Sequence, residues 1–235
     1  MKTTISGYPR VGALRELKFA TEKYFAGVLS KGELQNAAAR LRETHWQTQI
    51  INSIDIIPSN DFSLYDNILD TAVLLNVVPQ SNRALQLDPL DEYLYMARGY
   101  QGVNGDVKSL AMEKWFNTNY HYIVPEIDDD TAIALVGRKP FDEFSEARNM
   151  RITTKPVVIG AFTFLKLTRF YIETGFESDM FLQLHKTSFY ARSLIVQVLP
   201  VGVLSIISNM ITHPCRIFIG ELLLVFVWFF GLVTL

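Results

Sequence analysis

Residues 7–18 read Gly7-Tyr8-Pro9-Arg10-Val11-Gly12-Ala13-Leu14-Arg15-Glu16-Leu17-Lys18. Residues 3–8 form a short strand in this reading, residues 9–12 turn, and a helix opens at about Leu14. The result is a strand–loop–helix unit whose loop and first helical turn carry Arg10, Arg15 and Lys18. Cations at a helix start run against the helix dipole, which favours carboxylates there. Free backbone N–H groups with added cations make an anion site at that place. A solvated helix start with chance basic residues is the plainer account, and charge alone favours it.

Working outward, Leu17, Ala20, Tyr24 and Val28 recur at three- and four-residue steps and give one apolar helical stripe. Ser30-Lys31-Gly32-Glu33 has the spacing of a capping box and opens a second helix. Leu34, Ala37, Ala38, Leu41, His45 and Thr48 share one face of it; His45 beside Trp46 reads as a packed residue rather than a ligand. Residues 54–57 are a β-branched run, taken as a second strand. Leu64, Ile68, Ala72 and Leu75 indicate a helix. Strand then helix, repeated, argues for parallel β/α units, where sites collect on loops after the strand carboxyl ends. Asp61 and Asp66 fall on or just past such a loop, as site residues or, more commonly, as helix-start carboxylates.

Further on, residues 80–90 read as an irregular surface loop and residues 93–98 as a short helix. Residues 99–106 read as a flexible loop. Ala111, Trp115 and Phe116 suggest a helix carrying Lys114, and residues 119–124 a third strand. Asp128-Asp129-Asp130 is a solvated segment start, because adjacent carboxylates without spaced ligands make a poor metal site. Residues 141–149 read as a helix and 156–160 as a buried strand.

The chain has 235 residues and a formal charge of −2, so no strong field points to nucleic acid or an acidic membrane surface. Its one cysteine, Cys215, excludes an intrachain disulfide and fits a reducing compartment. No secretory signal is read in the first twenty or so residues. Up to about Arg169 charges are dense and mixed, whereas from residue 190 onward the charged residues are Arg192, Arg216 and Glu221.

The opening stretch, with Gly7-Tyr8-Pro9-Arg10-Val11-Gly12 followed by Arg15-Glu16-Leu17-Lys18, resembles the amino terminus of cobalamin-independent methionine synthase. More blocks match in order: His45-Trp46, Asp61-Phe62-Ser63-Leu64-Tyr65-Asp66, Leu69-Asp70-Thr71-Ala72, Met96-Ala97-Arg98-Gly99, and the run from Lys114-Trp115-Phe116 through Val124-Pro125-Glu126. The resemblance covers residues 1–168. It implies an enzyme that moves a methyl group from methyltetrahydrofolate polyglutamate to homocysteine, with Arg15, Glu16, Leu17, Lys18 and Lys114 contacting the folate and its tail. It implies an α/β fold, a partial (β/α)8 TIM-type barrel with amino-terminal units only; the hydrophobic tail after it, read from composition as largely helical, carries no family resemblance. Domains are expected at 1–168 (barrel) and 169–235 (tail).

In that family a second barrel holds the zinc, the homocysteine pocket and the catalytic histidine, so no catalytic or metal residue is assigned in this chain and no cofactor is expected in it. Thr212-His213-Pro214-Cys215 looks like the family's zinc pair but lacks the other ligands that zinc requires. Residues 217–235 form an apolar run just long enough to span a bilayer. Against a membrane anchor stands the reading that the sequence after about residue 169 comes from a shifted frame or an unspliced intron, which is favoured because the family is cytosolic. The expectation is a cytoplasmic, catalytically incomplete fragment whose partner is 5-methyltetrahydropteroyltri-L-glutamate, with no nucleic-acid partner; a non-catalytic binding module or a membrane-associated derivative through 217–235 is the alternative.

Overall fold

The structure is a computed structural model that describes residues 2–171. Those residues form a mixed α/β fold of seven helices and eight three-residue strands. The first helix, α1 (Glu16–Phe25), buries Leu17 and leaves most of its other side chains at the surface. The second, α2 (Lys31–Ile51), begins at the expected capping box: the Ser30 hydroxyl accepts the Glu33 N–H, and the Ser30 N–H donates to the Glu33 carboxylate at 2.8 Å. Strand β1 (Ile57–Ser59) follows, fully buried, then α3 (Asn67–Leu74) with Asp66 as its N-cap. The short α4 (Gln80–Arg83) leads into α5 (Pro89–Arg98), which Asp88 caps and Pro89 starts.

Two antiparallel hairpins come next. In the first, β2 (Tyr100–Gly102) pairs with β3 (Gly105–Val107); in the second, β4 (Met112–Lys114) pairs with β5 (His121–Ile123). Gly99, at φ 75°, ends α5 where a Cβ would meet the Ser109 nitrogen at 2.9 Å and the Val107 oxygen at 3.0 Å, so glycine alone fits that junction. The chain then makes β6 (Glu126–Asp128), α6 (Lys139–Asn149), β7 (Thr154–Pro156), α7 (Ala161–Lys166) and β8 (Arg169–Tyr171).

Parallel pairing supplies the frame. Thr4 bridges Ile56 in parallel, β1 runs parallel to β7, and β6 runs parallel to β8. Helix α3 is the central packing element. Its Ile68 and Ala72 join Val77, Val124, Ile127 and Phe164 in one apolar cluster, while its Leu69 joins Leu34, Leu94, Met96 and Ile123 in another. No closed barrel is present among the described residues.

Several expectations shift. The strand placed at residues 3–8 is a single bridge at Thr4. The strand placed at 54–57 lies at Ile57–Ser59, because Asp55 is tied at the surface to the Thr3 N–H at 2.7 Å. Residues 80–90 hold α4, whose Arg83 donates to the carbonyls of Asn76 and Val78. The loop read at 99–106 is the β2–β3 hairpin.

The helix expected to carry Lys114 is instead strand β4. Its register is set by the turn at residues 115–120: the Trp115 N–H donates to the Tyr120 carbonyl at 2.7 Å, and Phe116 takes a left-handed φ of 48°. Apolar spacing alone cannot reveal that turn. The strand placed at 156–160 is three residues long and earlier, at Thr154–Pro156. The apolar run at 217–235 and the pair His213 and Cys215 lie outside the described residues.

Candidate functional site

Arg15 is the N-cap of α1 and is exposed, in a left-handed conformation at φ 64° that few non-glycine residues adopt. The turn behind it is closed from inside. The Glu16 carboxylate accepts the Leu14 N–H at 3.0 Å, the Arg15 N–H donates to Gly12, and the Leu17 N–H donates to Val11 at 3.1 Å. Gly12 has φ 85°, and an added Cβ there would collide with the Glu16 carboxylate and Leu41. Leu17 is 1% exposed and packs with Ala38, Leu41 and Phe62. The Arg15-Glu16-Leu17-Lys18 run thus divides its labour: Leu17 anchors, Glu16 shapes the turn, and Arg15 and Lys18 face solvent. Lys18 stands 3.7 Å from Glu22, an exposed pair worth little.

Lys114 ends β4 opposite His121 and is exposed. Among the described residues neither Arg15 nor Lys114 has an ion-pair partner. Trp115, Phe116, Tyr120 and Tyr122 gather edge to face beside Lys114, with ring centroids 5.8–6.2 Å from Trp115.

The two segments, about a hundred residues apart in sequence, hang on one loop. Residues 60–66 follow the carboxyl end of β1. From this loop Asp61 accepts the Tyr8 N–H at 2.8 Å, the carbonyls of Ser63 and Leu64 accept Arg10 Nη1 at 3.3 and 3.2 Å, and Phe62 packs on Leu17. At its other end the Asp66 carboxylate accepts the Ile123 N–H of β5 at 3.2 Å and the Leu69 N–H of α3 at 3.1 Å, and the Tyr120 hydroxyl reaches it at 3.4 Å. Burial pushes the Asp66 carboxyl up to about 6. The Tyr120 hydroxyl is pushed up to about 12 by burial and by Asp66.

The loop is braced from behind by a partly buried charge cluster. Lys139 Nζ lies 3.3 Å from Asp70 and 3.1 Å from Glu143, and it donates to Asn60 Oδ1 at 3.0 Å and to the Phe62 carbonyl at 2.6 Å. Burial pushes the lysine down, but Asp70 and Glu143 outweigh it and hold the ammonium charged. Burial raises the Glu143 carboxyl against the pull of Lys139. A cavity of about 130 Å³ opens between Asp61, Asp70 and Lys139 on one side and Ser6 and Val157 on another. His45 is packed between Tyr8 and Phe62, and burial lowers its pKa.

Sequence reasoning named Asp61 and Asp66 but missed Lys139, Asp70 and Tyr120. One signal was available for Lys139: Arg138-Lys139 opens α6 with two cations, against the dipole, which needs a compensating partner. No group of three or more His, Cys, Asp or Glu among the described residues could hold a metal ion, so these residues do not supply a zinc ligand set. No described helix is long and apolar enough to cross a membrane.

A family model described as "Cobalamin-independent synthase, N-terminal domain" matches residues 2–195. The chain is 59% identical over 170 residues to the 5-methyltetrahydropteroyltriglutamate–homocysteine methyltransferase of Campylobacter jejuni subsp. doylei, covering 72% of this chain and 22% of that protein. It is 57% identical over 170 residues to the enzyme of the same name from Streptococcus suis, covering 72% and 23%. With the Streptococcus thermophilus enzyme of that name it shares 53% identity over 182 residues, covering 77% and 24%. The chain therefore spans under a quarter of the length of these relatives. With the collinear blocks, the family match and these identities in agreement, the chain belongs to the cobalamin-independent methionine synthase family, as a part of its amino-terminal domain.

Proposed function

We propose that this chain supplies the folate-tail-binding part of a methyl transfer from 5-methyltetrahydropteroyltriglutamate to homocysteine. Arg15, Lys18 and Lys114 receive the glutamate carboxylates, Glu16 shapes the turn that presents Arg15, and Leu17 anchors it. The observation that carries this reading is that one loop, residues 60–66, holds both cationic segments, while Arg15 and Lys114 have no ion-pair partner among the described residues. Unpaired cations on rigid supports suit a flexible polyanion.

The parallel pairs Thr4–Ile56, β1–β7 and β6–β8, with the cationic segment at Arg10 and Arg15 following the Thr4 bridge, support a partial (β/α)8 barrel. The division at residue 168 is likewise a proposal; the pairing of β8 with β6 and the family match to residue 195 argue for a later domain end. A cytoplasmic location rests on the single cysteine and on the family. Methyl transfer needs groups that the described residues do not hold, so tail binding, not turnover, is the activity assigned here.

Calorimetry with mono- and triglutamate forms of methyltetrahydrofolate tests the reading. Triglutamate is expected to bind at least tenfold more tightly, with the preference lost in Arg15→Ala/Lys18→Ala and reduced in Lys114→Ala. Equal affinities, or an unchanged preference in the double variant, would refute the assignment.

A further inference from the structure

We propose that Asp66 is the positioning residue for Lys114: its one carboxylate ties the β4–β5 hairpin to the loop that also holds the Arg10 segment. The consequence for ligand binding rests on the polyglutamate reading above; the tie itself does not.

Asp66 is 2% exposed and lies at the start of α3. An N-cap needs only one accepted N–H, here that of Leu69. Asp66 does more. The same oxygen accepts Ile123 N–H from the hairpin, and its other oxygen faces the Tyr120 hydroxyl. The Ile123 bond joins residues 57 apart in sequence. Ile123 pairs with Met112 in the hairpin register, and Tyr120 closes the turn onto Trp115, the neighbour of Lys114. The Asp66 backbone is fixed in turn, because the Tyr93 hydroxyl accepts the N–H groups of Tyr65 and Asp66 at 3.1 and 3.2 Å. A charged acceptor inside a buried contact resists displacement by water, so the hairpin has one preferred seat.

The cap role and the tie can be separated. Serine caps helices well but is too short to hold both arms, so Asp66→Ser keeps α3 and releases β5. Asparagine keeps an acceptor oxygen in place, so Asp66→Asn is the conservative rescue. Backbone hydrogen exchange on the full chain is the readout. Amides of β4 and β5 are expected to exchange about tenfold faster in Asp66→Ser than in the unaltered chain, those of α2 to be unchanged, and Asp66→Asn to recover most of the protection. Calorimetry on the same proteins is expected to show Asp66→Ser losing triglutamate preference to about the extent that Lys114→Ala does.

Unchanged hairpin exchange in Asp66→Ser overturns the proposal, as does a loosened hairpin with full triglutamate preference while Lys114→Ala loses it. If the hairpin loosens and Lys114→Ala binds triglutamate normally, the tie stands and the polyglutamate reading fails. Should Asp66→Ser not melt cooperatively, Tyr120→Phe removes only the hydroxyl arm; faster exchange at residues 118–123 then supports the tie and unchanged exchange overturns it.

Discussion

The Asp61 carboxylate accepts the backbone N–H of Tyr8 at 2.8 Å, across 53 residues of sequence. This bond fixes the path of the opening loop after the Thr4 bridge, and so where Arg10 and Arg15 are presented. Burial raises the Asp61 carboxyl, against the Tyr8 bond that stabilises its anion. Asp61→Ala leaves a partly buried N–H without its acceptor and is expected to cost about 1–3 kcal/mol, with Asp61→Asn costing less. Denaturant unfolding of the two variants measures the difference; equal losses would mean that the bond to Tyr8 is not what Asp61 contributes.

Lys139 is shared between the Asp70 and Glu143 carboxylates in the bracing cluster and offsets part of their charge. Removing one partner of a buried charge set strands the others, so Lys139→Met is expected to destabilise the chain by about 3–5 kcal/mol. The triple variant Lys139→Met/Asp70→Asn/Glu143→Gln is expected to regain part of that loss. Thermal melts followed by circular dichroism check both, and a triple variant as unstable as the single one would contradict the charge argument.

Asp66 gives a pH signature. Its carboxyl stands at about 6 in the fold against 3.8 for the ordinary group, because burial outweighs the N–H bonds from Leu69 and Ile123, and Asp70 adds to the rise. Tyr93, Tyr120 and Tyr122 also face it. A raised pKa favours folding while the proton is on. The contribution is complete below pH 3.8 and is lost as pH rises through about 6. Over that window the stability of the unaltered chain relative to Asp66→Asn is expected to fall by about 3 kcal/mol. Denaturation midpoints of both proteins from pH 4 to pH 8 test this, and parallel curves would contradict it.

Gly12 has φ 85° and no room for a Cβ beside the Glu16 carboxylate and Leu41. Gly12→Ala is expected to cost about 1–3 kcal/mol and to displace the turn under Arg15. The loss should appear both in stability and in triglutamate affinity. Tight triglutamate binding in a destabilised Gly12→Ala chain would show that Arg15 presentation does not depend on this turn.

Much of the helical layout was legible because it is local. The Ser30–Glu33 capping box starts α2 where the spacing placed it, and the stripe through Ile68 and Ala72 is a buried face of α3. Asp66 proved to be a helix-start carboxylate, as that residue type most often is, but Asp61 did not. What sequence could not give was set by distant partners. Lys114 sits on a strand because the turn at residues 115–120 folds β5 back on β4, and Trp115 and Phe116 suit a helix equally well by spacing. Lys139 looks like a surface lysine until Asp70 and Glu143 surround it. The seven residues of loop 60–66 are mostly polar or turn-forming, and nothing in them announces that Tyr8 and Ile123 both dock there.

The central claim is that the Arg15 and Lys114 segments form one tail site carried by loop 60–66. The most direct test is a hydrogen-exchange footprint of triglutamyl methyltetrahydrofolate on the full chain, with the monoglutamate as control. Added protection is expected together in residues 12–18 and 112–123 with the triglutamate, and at neither segment with the monoglutamate. Protection of one segment alone, or the same footprint with both ligands, would contradict it.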